Sequence, residues 1–352
     1  MTTAAASNTT PATEAQLPIP YLQMKPLLEG AGIAALNQTG WIRITGSDRV
    51  RWLNGMATNS IQGLALGQGG YNFFLNAQGR IQGDGYVFAA PIFASSEALF
   101  LETAKQQIPA LIPYLDHYII MDDVELADVT SDWHGITIVG PQAASTLAQL
   151  GLAVDHLNQL ESSEMLWNSI KLTAIHAYSP AIPRFELWAS TPADAEALFT
   201  ALKAAGSLPC EPAAFEALRI LEGTPLYGAD IRDRDLPQET NQARALHFAK
   251  GCYLGQEIVE RIRSRGNVHR TFTAFRLSGT VPARGTTLES AGKPVGELTS
   301  IVTLEDNQGQ PIHLALGYAR REALDRHEPL QYPGGTAQPV SIPPLAEIQL
   351  AR

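Results

Sequence analysis

The chain has almost no cysteine. Cys210 and Cys252 are the two thiols in 352 residues, so the disulfide framework of a small secreted protein is excluded. Two isolated thiols are typical of a reducing compartment, and we expect a cytoplasmic location. Neither Cys-x-x-Cys nor His-Glu-x-x-His occurs, and the 8 histidines are scattered. The sequence therefore predicts no metal site built from protein side chains alone.

Positive charge is also scarce. The 25 Lys and Arg residues face 35 Asp and Glu, and the net charge of -10 argues against non-specific nucleic-acid binding. No uninterrupted apolar stretch approaches the roughly 18 residues that a membrane span requires. Residues 1–20 contain no Lys, Arg or apolar run, which fits neither a secretory signal nor a basic transit peptide. We expect them to form a disordered tail.

The remaining sequence predicts an α+β protein, because strands and helices are mixed without strict alternation. A glycine-rich stretch fits neither G-x-G-x-x-G nor a phosphate-binding loop, and it predicts a hairpin of strands 71–75 and 80–88. Helical spacing is predicted for 97–112. The domains we expect are a first α+β subdomain with the hairpin over 21–130, a second over 131–270, and an all-β barrel over 271–352.

The most informative stretch is Lys250 to Glu257. After it, Leu254, Ile258 and Ile262 recur every four residues, which predicts one apolar helix face. Cys252 is then expected at or near a helix N-terminus with the Lys250 ammonium nearby, and both features favour the reactive thiolate. The alternative is a buried, inert thiol, which is the usual state of a free cysteine. We expect that state for Cys210.

In a second stretch, a predicted helix ends at Gly223 and Pro225. It sets Glu222 at the helix end beside a turn that carries Tyr227 and Asp230. A carboxylate at such an edge can accept two parallel N–H bonds from a flat heterocycle while an aromatic side chain covers the ring. By spacing alone, an ion pair between Glu222 and a nearby arginine is the commoner arrangement.

Two further features have open interpretations. A basic cluster, Arg261, Arg263, Arg265, His269 and Arg270, is either a solvated helix end or an anion site for a carboxylate tail or a protein partner. Asp84 lies between two glycines, where an aspartate is more often a turn residue than a catalytic one.

The Lys-Gly-Cys-Tyr run at 250–253 with Gly-Gln-Glu at 255–257 resembles the signature of the YgfZ-type folate-binding proteins, which assist iron–sulfur cluster assembly or repair. These proteins are relatives of the glycine-cleavage aminomethyltransferase, the T-protein. Similarity to the family extends over nearly the whole chain after the tail, and its other segments are 51–56, 58–59, 71–85, 222–230 and 292–300.

The resemblance implies a folate-binding fold of two α+β subdomains plus a C-terminal β-barrel, with tetrahydrofolate bound non-covalently in a central channel. Glu222 matches the family's pterin-binding glutamate, and Asp84 lies where the transferase branch keeps an aspartate beside the reactive folate nitrogen. That branch has two adjacent carboxylates there, whereas this chain has Gly83-Asp84. The catalytic residues expected are Cys252, Lys250 and Asp84. The cofactor-binding residues expected are Glu222, Tyr227, Asp230, Tyr253, Gln256, Glu257 and Arg261.

The function expected first is that of a tetrahydrofolate-binding accessory protein for iron–sulfur enzymes, with Cys252 as its reactive group and iron–sulfur enzymes or assembly factors as partners. The alternative is a folate-dependent aminomethyltransferase or another one-carbon transferase that uses Asp84. A folate-sensing scaffold, in which neither residue reacts, is a third possibility.

Overall fold

The computed structural model describes residues 17–89, 97–266, 268–348 and 350. Their architecture is the predicted mixture of helices and strands. The helices are α1 (Tyr21–Glu29), α2 (Arg49–Met56), α3 (Ile108–Asp116), α4 (Ala143–Gln149), α5 (Pro192–Ala204), α6 (Pro212–Leu221), α7 (Gln256–Arg265) and α8 (Arg321–Leu324).

The strands form three sheets, and their bounds follow in chain order. They are β1 (Gly32–Ala35), β2 (Thr39–Thr45), β3 (Gly69–Leu75), β4 (Ile81–Ala89), β5 (Leu99–Ala104), β6 (Glu125–Asp128), β7 (His134–Val139), β8 (Ser162–Trp167), β9 (Ile170–His176), β10 (Arg184–Ala189), β11 (Leu208–Pro209), β12 (Arg270–Gly279), β13 (Thr287–Ser290), β14 (Lys293–Glu305), β15 (Pro311–Arg320), β16 (Leu330–Tyr332) and β17 (Gly335–Val340).

Two open sheets and one closed barrel account for the fold class. The first sheet has the order β3-β4-β5-β2-β6, the second has the order β11-β1-β7-β10-β9-β8, and β12-β15-β14-β13-β16-β17 close into a barrel. The prediction of two α+β units followed by a C-terminal β-barrel is confirmed. The barrel's first strand starts at Arg270, one residue before the expected boundary.

The first short strand joins the second sheet instead of the first. β1 pairs antiparallel with β7 and parallel with β11. The segment 21–130 therefore contributes five strands to the first sheet and β1 to the second, so the two units are connected through the second sheet as well as through the chain.

The predicted hairpin is confirmed as β3 and β4, which pair antiparallel with Phe73 opposite Asp84. The helix expected over 97–112 is wrong in its first half, because residues 99–104 form the strand β5 between β4 and β2. Leu99 and Leu101 are buried there. Tertiary pairing on both edges outweighs the weak helical spacing of so short a segment.

The two open sheets meet over an aromatic core. Trp41 of β2 lies against Trp188 of β10, with ring centroids 5.3 Å apart at an angle of 86°. Phe88, Phe100 and Ile175 complete this cluster. The barrel packs elsewhere, on α6, whose buried face includes residues 214, 217, 218, 220 and 221. The two open sheets thus share an aromatic cluster, and the barrel packs on α6 in a separate hydrophobic cluster.

Residues 1–16 of the predicted tail lie outside the described residues. Its last part is described: Ile19 pairs with Leu304 of the barrel, donating to Thr303 O and accepting from Glu305 N, both over 2.9 Å. In the described parts of the chain, no helix has the length and apolar character needed to cross a membrane.

Candidate functional site

Asp84 is a buried acid on the inner face of the hairpin, with 8% of its surface exposed. Its Oδ2 accepts a 2.5 Å hydrogen bond from the Tyr71 hydroxyl, and its Oδ1 accepts one from Gln107 Nε2 over 2.7 Å. Burial raises the pKa of Asp84, while these two donors and the charge of Arg244 oppose the rise. Asp84 is in a strand and not in the turn that its flanking glycines suggested.

Three tyrosines from separate elements surround a single arginine. The Arg244 guanidinium carbon lies 3.5 Å from the ring centroid of Tyr178, 4.0 Å from that of Tyr71 and 5.4 Å from that of Tyr86. We call these three rings the tyrosine cage. Because Tyr71 also binds Asp84, the cage and the buried acid form one continuous site. Sequence reasoning missed Arg244, since nothing in its local pattern marks it.

Sequence reasoning also missed a pair of acids between the two open sheets. Glu186 of β10 is 2% exposed, and it accepts from Arg184 Nη2 over 3.0 Å and from Trp188 Nε1 over 3.3 Å. Glu102 of β5 lies against it: burial raises the pKa of Glu102 well above its usual range, and the charge of Glu186 adds to the rise. Glu102 is opposite Tyr86 in the sheet, which links the pair to the cage.

Glu222 is the C-cap residue of α6, at the helix end where the sequence placed it. One oxygen, Oε1, accepts from Ser179 Oγ over 2.5 Å and from the backbone N–H groups of Ala181 and Ile182 over 3.3 and 3.1 Å. Burial raises the pKa of Glu222, and these donors counteract it. The expected local ion pair is absent from the described residues, and Glu222 instead holds the loop that follows Tyr178.

Tyr227 is half-buried and points toward the same region. Burial raises its pKa to about 12, and the charge of Asp84 adds to the rise. It packs against the cluster that contains Tyr71 and Tyr253. The turn therefore brings Tyr227 toward Asp84, and its role as an aromatic neighbour of a bound ring stays a prediction.

Asp230 is fully buried, and its contacts are with the protein. Oδ2 accepts from Arg219 Nη1 over 2.7 Å, while Oδ1 accepts from the hydroxyls of Thr299 and Ser300 over 2.5 and 2.8 Å. Thr299 and Ser300 belong to β14, so Asp230 joins the turn after α6 to the barrel. Both oxygens are occupied, and its role as a direct folate ligand stays a prediction with these bonds against it.

Lys250 is directed away from the thiol two residues later. Its Nζ donates to the backbone oxygens of Asn54, Ala57 and Asn59 over 2.7, 2.6 and 2.7 Å. These carbonyls lie at the C-terminal end of α2, where the ammonium complements the negative end of the helix. Burial lowers the pKa of Lys250 to about 8. All three ammonium protons are used here, so Lys250 fixes the backbone and does not donate to Cys252.

The next residues of the motif hold it against the hairpin. Tyr253 is buried with Tyr71 and Phe73, and its backbone N–H donates to Gln256 Oε1 over 3.1 Å. Gly255 has φ +81°, and a Cβ there would lie 2.6 Å from the carbonyl oxygen of Asn76 in the hairpin turn. Only glycine tolerates both conditions. Gln256 and Tyr253 therefore have packing and capping contacts, and their cofactor-binding roles stay predictions.

Cys252 is exposed, whereas Cys210 is partly buried. The predicted helix is confirmed, but it begins at Gln256 with Gly255 as its N-cap, so Cys252 precedes it in an irregular segment. Burial raises the pKa of the Cys210 thiol, which favours the inert form expected there. The structure thus presents Cys252 to solvent on a backbone that its neighbours hold in place.

The basic cluster divides into exposed and paired members. Arg261 and Glu257 of α7 are exposed, and Arg263 lies 4.4 Å from the ring centroid of Phe248. Arg270 instead pairs with Asp235 over 2.6 Å and with Glu239 over 3.0 Å. Nothing is described for the Arg265 side chain. Arg261 and Glu257 are available to a partner, and their contact with folate stays a prediction.

Within the described ranges, no three His, Cys, Asp or Glu side chains are grouped so that they could hold a metal ion. The reactive groups that the described residues provide are buried acids, a guanidinium enclosed by tyrosine rings and an exposed thiol.

Comparisons with known proteins agree with this fold. The chain is 27% identical over 303 residues to a putative chloroplastic transferase of Arabidopsis thaliana, an alignment that covers 84% of this chain and 66% of the plant protein. It thus spans just under two thirds of that relative. It is 28% identical over 311 residues to an aminomethyltransferase of Rubrobacter xylanophilus, covering 85% of this chain and 80% of the relative.

A solved structure extends the likeness to the whole architecture. The glycine cleavage system aminomethyltransferase T from Bartonella henselae superposes with a TM-score of 0.78 over 94% of this chain and 90% of that chain, at 19% identity. At that identity the likeness concerns the fold. The GCVT N-terminal domain family matches residues 23–250, which is more than half of the chain, and the protein therefore belongs to the GCVT family of aminomethyltransferase-like proteins.

Proposed function

We propose that this protein is a YgfZ-type member of its family: it binds tetrahydrofolate non-covalently and supports assembly or repair of iron–sulfur enzymes, with Cys252 as its reactive group. The observation that carries the proposal is the exposed thiol of Cys252 on a backbone fixed by Lys250, Tyr253 and Gly255. Lys250, Tyr253 and Gly255 have structural contacts that explain them. No such contact is found for Cys252 among the described residues, and its thiol is accessible to a partner.

The thiol has chemistry suited to that role. A thiolate attacks the sulfur of a disulfide or persulfide, and it can also supply one ligand to an iron–sulfur cluster. A single cysteine cannot hold a cluster alone, so the function is exerted on a partner's cluster. This chemistry needs reduced cysteine, which is consistent with the cytoplasm or another reducing compartment.

The site beside the thiol segment has groups that fit a folate. A pterin is a flat ring with adjacent N–H donors, and buried carboxylates and aromatic faces are its natural partners. Asp84, Glu222 and Tyr227 provide such groups around the tyrosine cage, and Tyr71 connects the cage to Asp84. Tyr253 packs against the same cluster. Folate bound there would lie on the inner side of the segment that carries Cys252.

The proposal is tested by complementation of cells that lack the protein, with variants in which a cysteine sulfur is replaced by oxygen. Cys252→Ser is expected to abolish rescue of iron–sulfur enzyme activity in cells that lack the protein, while tetrahydrofolate binding by the purified variant stays near the wild-type value. Cys210→Ser is the matched control, and it should rescue normally because that thiol is partly buried away from the motif. Full rescue by Cys252→Ser would disprove the role of the thiol.

Folate binding has its own test. Trp41 and Trp188 lie in the core beside Glu186 and the tyrosine cage, so tryptophan fluorescence should report ligand binding. Titration with tetrahydrofolate at micromolar concentration should give a saturable change. Absence of binding would remove both this proposal and the transferase alternative below.

The second candidate is an aminomethyltransferase or another one-carbon transferase, and the buried, hydrogen-bonded Asp84 favours it. An acid whose pKa is raised by burial can orient or protonate a ligand nitrogen. With an aminomethylated lipoyl carrier and tetrahydrofolate, such an enzyme would release ammonia and form methylene-tetrahydrofolate. Wild-type turnover that Asp84→Asn abolishes and Cys252→Ser leaves intact would favour this candidate.

A further inference from the structure

Arg244 is partly buried, and its partners differ from those of four other partly buried arginines. Arg184, Arg219, Arg232 and Arg270 each lie within 3.0 Å of a carboxylate oxygen. Arg244 has no such ion pair among the described residues. Its two hydrogen bonds go to neutral groups, from Nε to Gln242 Oε1 over 3.1 Å and from Nη1 to the Tyr86 hydroxyl over 3.2 Å.

The nearest acid of the site is already occupied. The charge of Arg244 acts to lower the pKa of Asp84. The two carboxylate oxygens of Asp84, however, accept hydrogen bonds from Tyr71 and Gln107. Tyr71 lies between the two charges, with its hydroxyl on Asp84 and its ring against the guanidinium. The Arg244 cation is therefore stabilised mainly by aromatic faces.

Aromatic faces offset only part of the cost of withdrawing a cation from water. Each cation–π contact contributes modestly, whereas an anion in direct contact would contribute more. The Nη2 group of Arg244 makes no hydrogen bond to any described residue, and a guanidinium with free donors recognises a carboxylate through paired N–H bonds. The side chain is half-buried, so an incoming ligand can reach it.

We propose that Arg244 binds a carboxylate of the ligand, so that the site beside the tyrosine cage receives a planar aromatic compound carrying an acid group. The inference rests on the proposed folate function and assigns the acid-binding residue within it. The rival position, Arg261, is exposed on α7, and no aromatic ring of the described residues lies against its guanidinium.

The experiment compares ligands with and without carboxylates. Wild type, Arg244→Gln and Arg244→Lys are titrated with tetrahydrofolate, with p-aminobenzoylglutamate and with tetrahydrobiopterin, which has the pterin ring without an acid group. Arg244→Gln should weaken binding of tetrahydrofolate about tenfold or more, because a charged hydrogen bond to a carboxylate is lost. The affinity of Arg244→Lys for tetrahydrofolate should lie between those of wild type and Arg244→Gln. Tetrahydrobiopterin should bind wild type and Arg244→Gln with equal affinity.

Arg320→Gln is the matched control, since Arg320 is exposed on the barrel and has only a 3.6 Å ion pair to Glu322. It should bind every ligand within about twofold of wild type. Equal tetrahydrofolate binding by wild type and Arg244→Gln would overturn the inference and leave the folate function standing. Loss of tetrahydrobiopterin together with tetrahydrofolate in Arg244→Gln would also overturn it, because it would show a structural role.

The same titrations distinguish failure of the carboxylate site at Arg244 from failure of the folate function. If wild type binds p-aminobenzoylglutamate in an Arg244-dependent way but not tetrahydrofolate, the carboxylate site stands and the folate proposal fails. If wild type binds neither compound, both fail.

Discussion

Tyr71 and Asp84 face each other diagonally across the β3–β4 hairpin, and the Tyr71 hydroxyl donates to Asp84 Oδ2 over 2.5 Å. Side chains at such diagonal positions share one face of a sheet. This bond connects the only acid on the inner face of the hairpin, within the described residues of β3 and β4, to the tyrosine cage around Arg244.

Asp84 should make stability depend on pH. Its folded pKa is raised by burial, whereas an unfolded aspartate titrates at about 3.9. Above about 3.9 the folded state binds more protons than the unfolded state, so its stability falls as pH rises toward the folded pKa. Denaturant unfolding from pH 3.5 upward should show wild type losing stability relative to Asp84→Asn. Parallel pH profiles would contradict the raised pKa.

Tyr71→Phe should enlarge that effect. The substitution removes a donor that lowers the pKa of Asp84, so the pH range over which stability falls should extend upward. The lost hydrogen bond should also lower the free energy of unfolding by about 1 kcal/mol. The same unfolding series measures both. An unchanged profile in Tyr71→Phe would indicate that the hydroxyl does not hold Asp84.

Gly255→Ala tests the attachment of the cysteine segment to the hairpin. A Cβ at φ +81° and 2.6 Å from Asn76 O is strained in two ways, and we expect a loss of about 2 kcal/mol or more. Gly251→Ala is the control in the same motif, because a Cβ there meets nothing within 4 Å, and it should stay within about 0.5 kcal/mol of wild type. Thermal unfolding measures the stability of both variants. Equal losses of stability in Gly255→Ala and Gly251→Ala would contradict the close approach of residue 255 to Asn76.

Lys250 should give the opposite pH trend from Asp84. Burial lowers its pKa to about 8, whereas an unfolded lysine titrates at about 10.4. Between these values the unfolded chain binds more protons, so the folded state gains stability as pH rises through this window. Wild type should therefore gain stability over Lys250→Met from pH 8 to 10. At pH 7 the variant should lose about 2 kcal/mol, since three carbonyls lose their donor.

The two thiols should differ in reactivity. Cys252 is exposed, whereas burial raises the pKa of Cys210, so a disulfide reagent should react in one fast and one slow phase. Cys252→Ser should remove the fast phase and Cys210→Ser the slow phase. Denaturation should merge the phases in wild type. If the fast phase persists in Cys252→Ser, the accessible thiol is not that of Cys252 and the prediction is wrong.

Local sequence patterns were sufficient for the elements whose signal is short-range. Apolar spacing predicted α7, and the glycine-rich stretch predicted the hairpin. The Gly- and Pro-rich strands after residue 270 predicted the barrel. The motif at 250–257 singled out Cys252, and the net charge of -10 argues against non-specific nucleic-acid binding. The helix and the hairpin depend on interactions within a few residues, so periodicity and turn residues record them.

Only the tertiary structure decided which polar groups meet. Arg244, Glu102, Glu186 and the three tyrosines come from separate elements, and no local pattern marks them. The fold also assigned Lys250 to the end of α2 and Asp230 to the barrel. A side chain's partner depends on long-range packing, and burial then sets its protonation. The chain itself therefore marked the segment that carries Cys252, and the fold determined that its lysine holds the end of α2 while its cysteine is exposed.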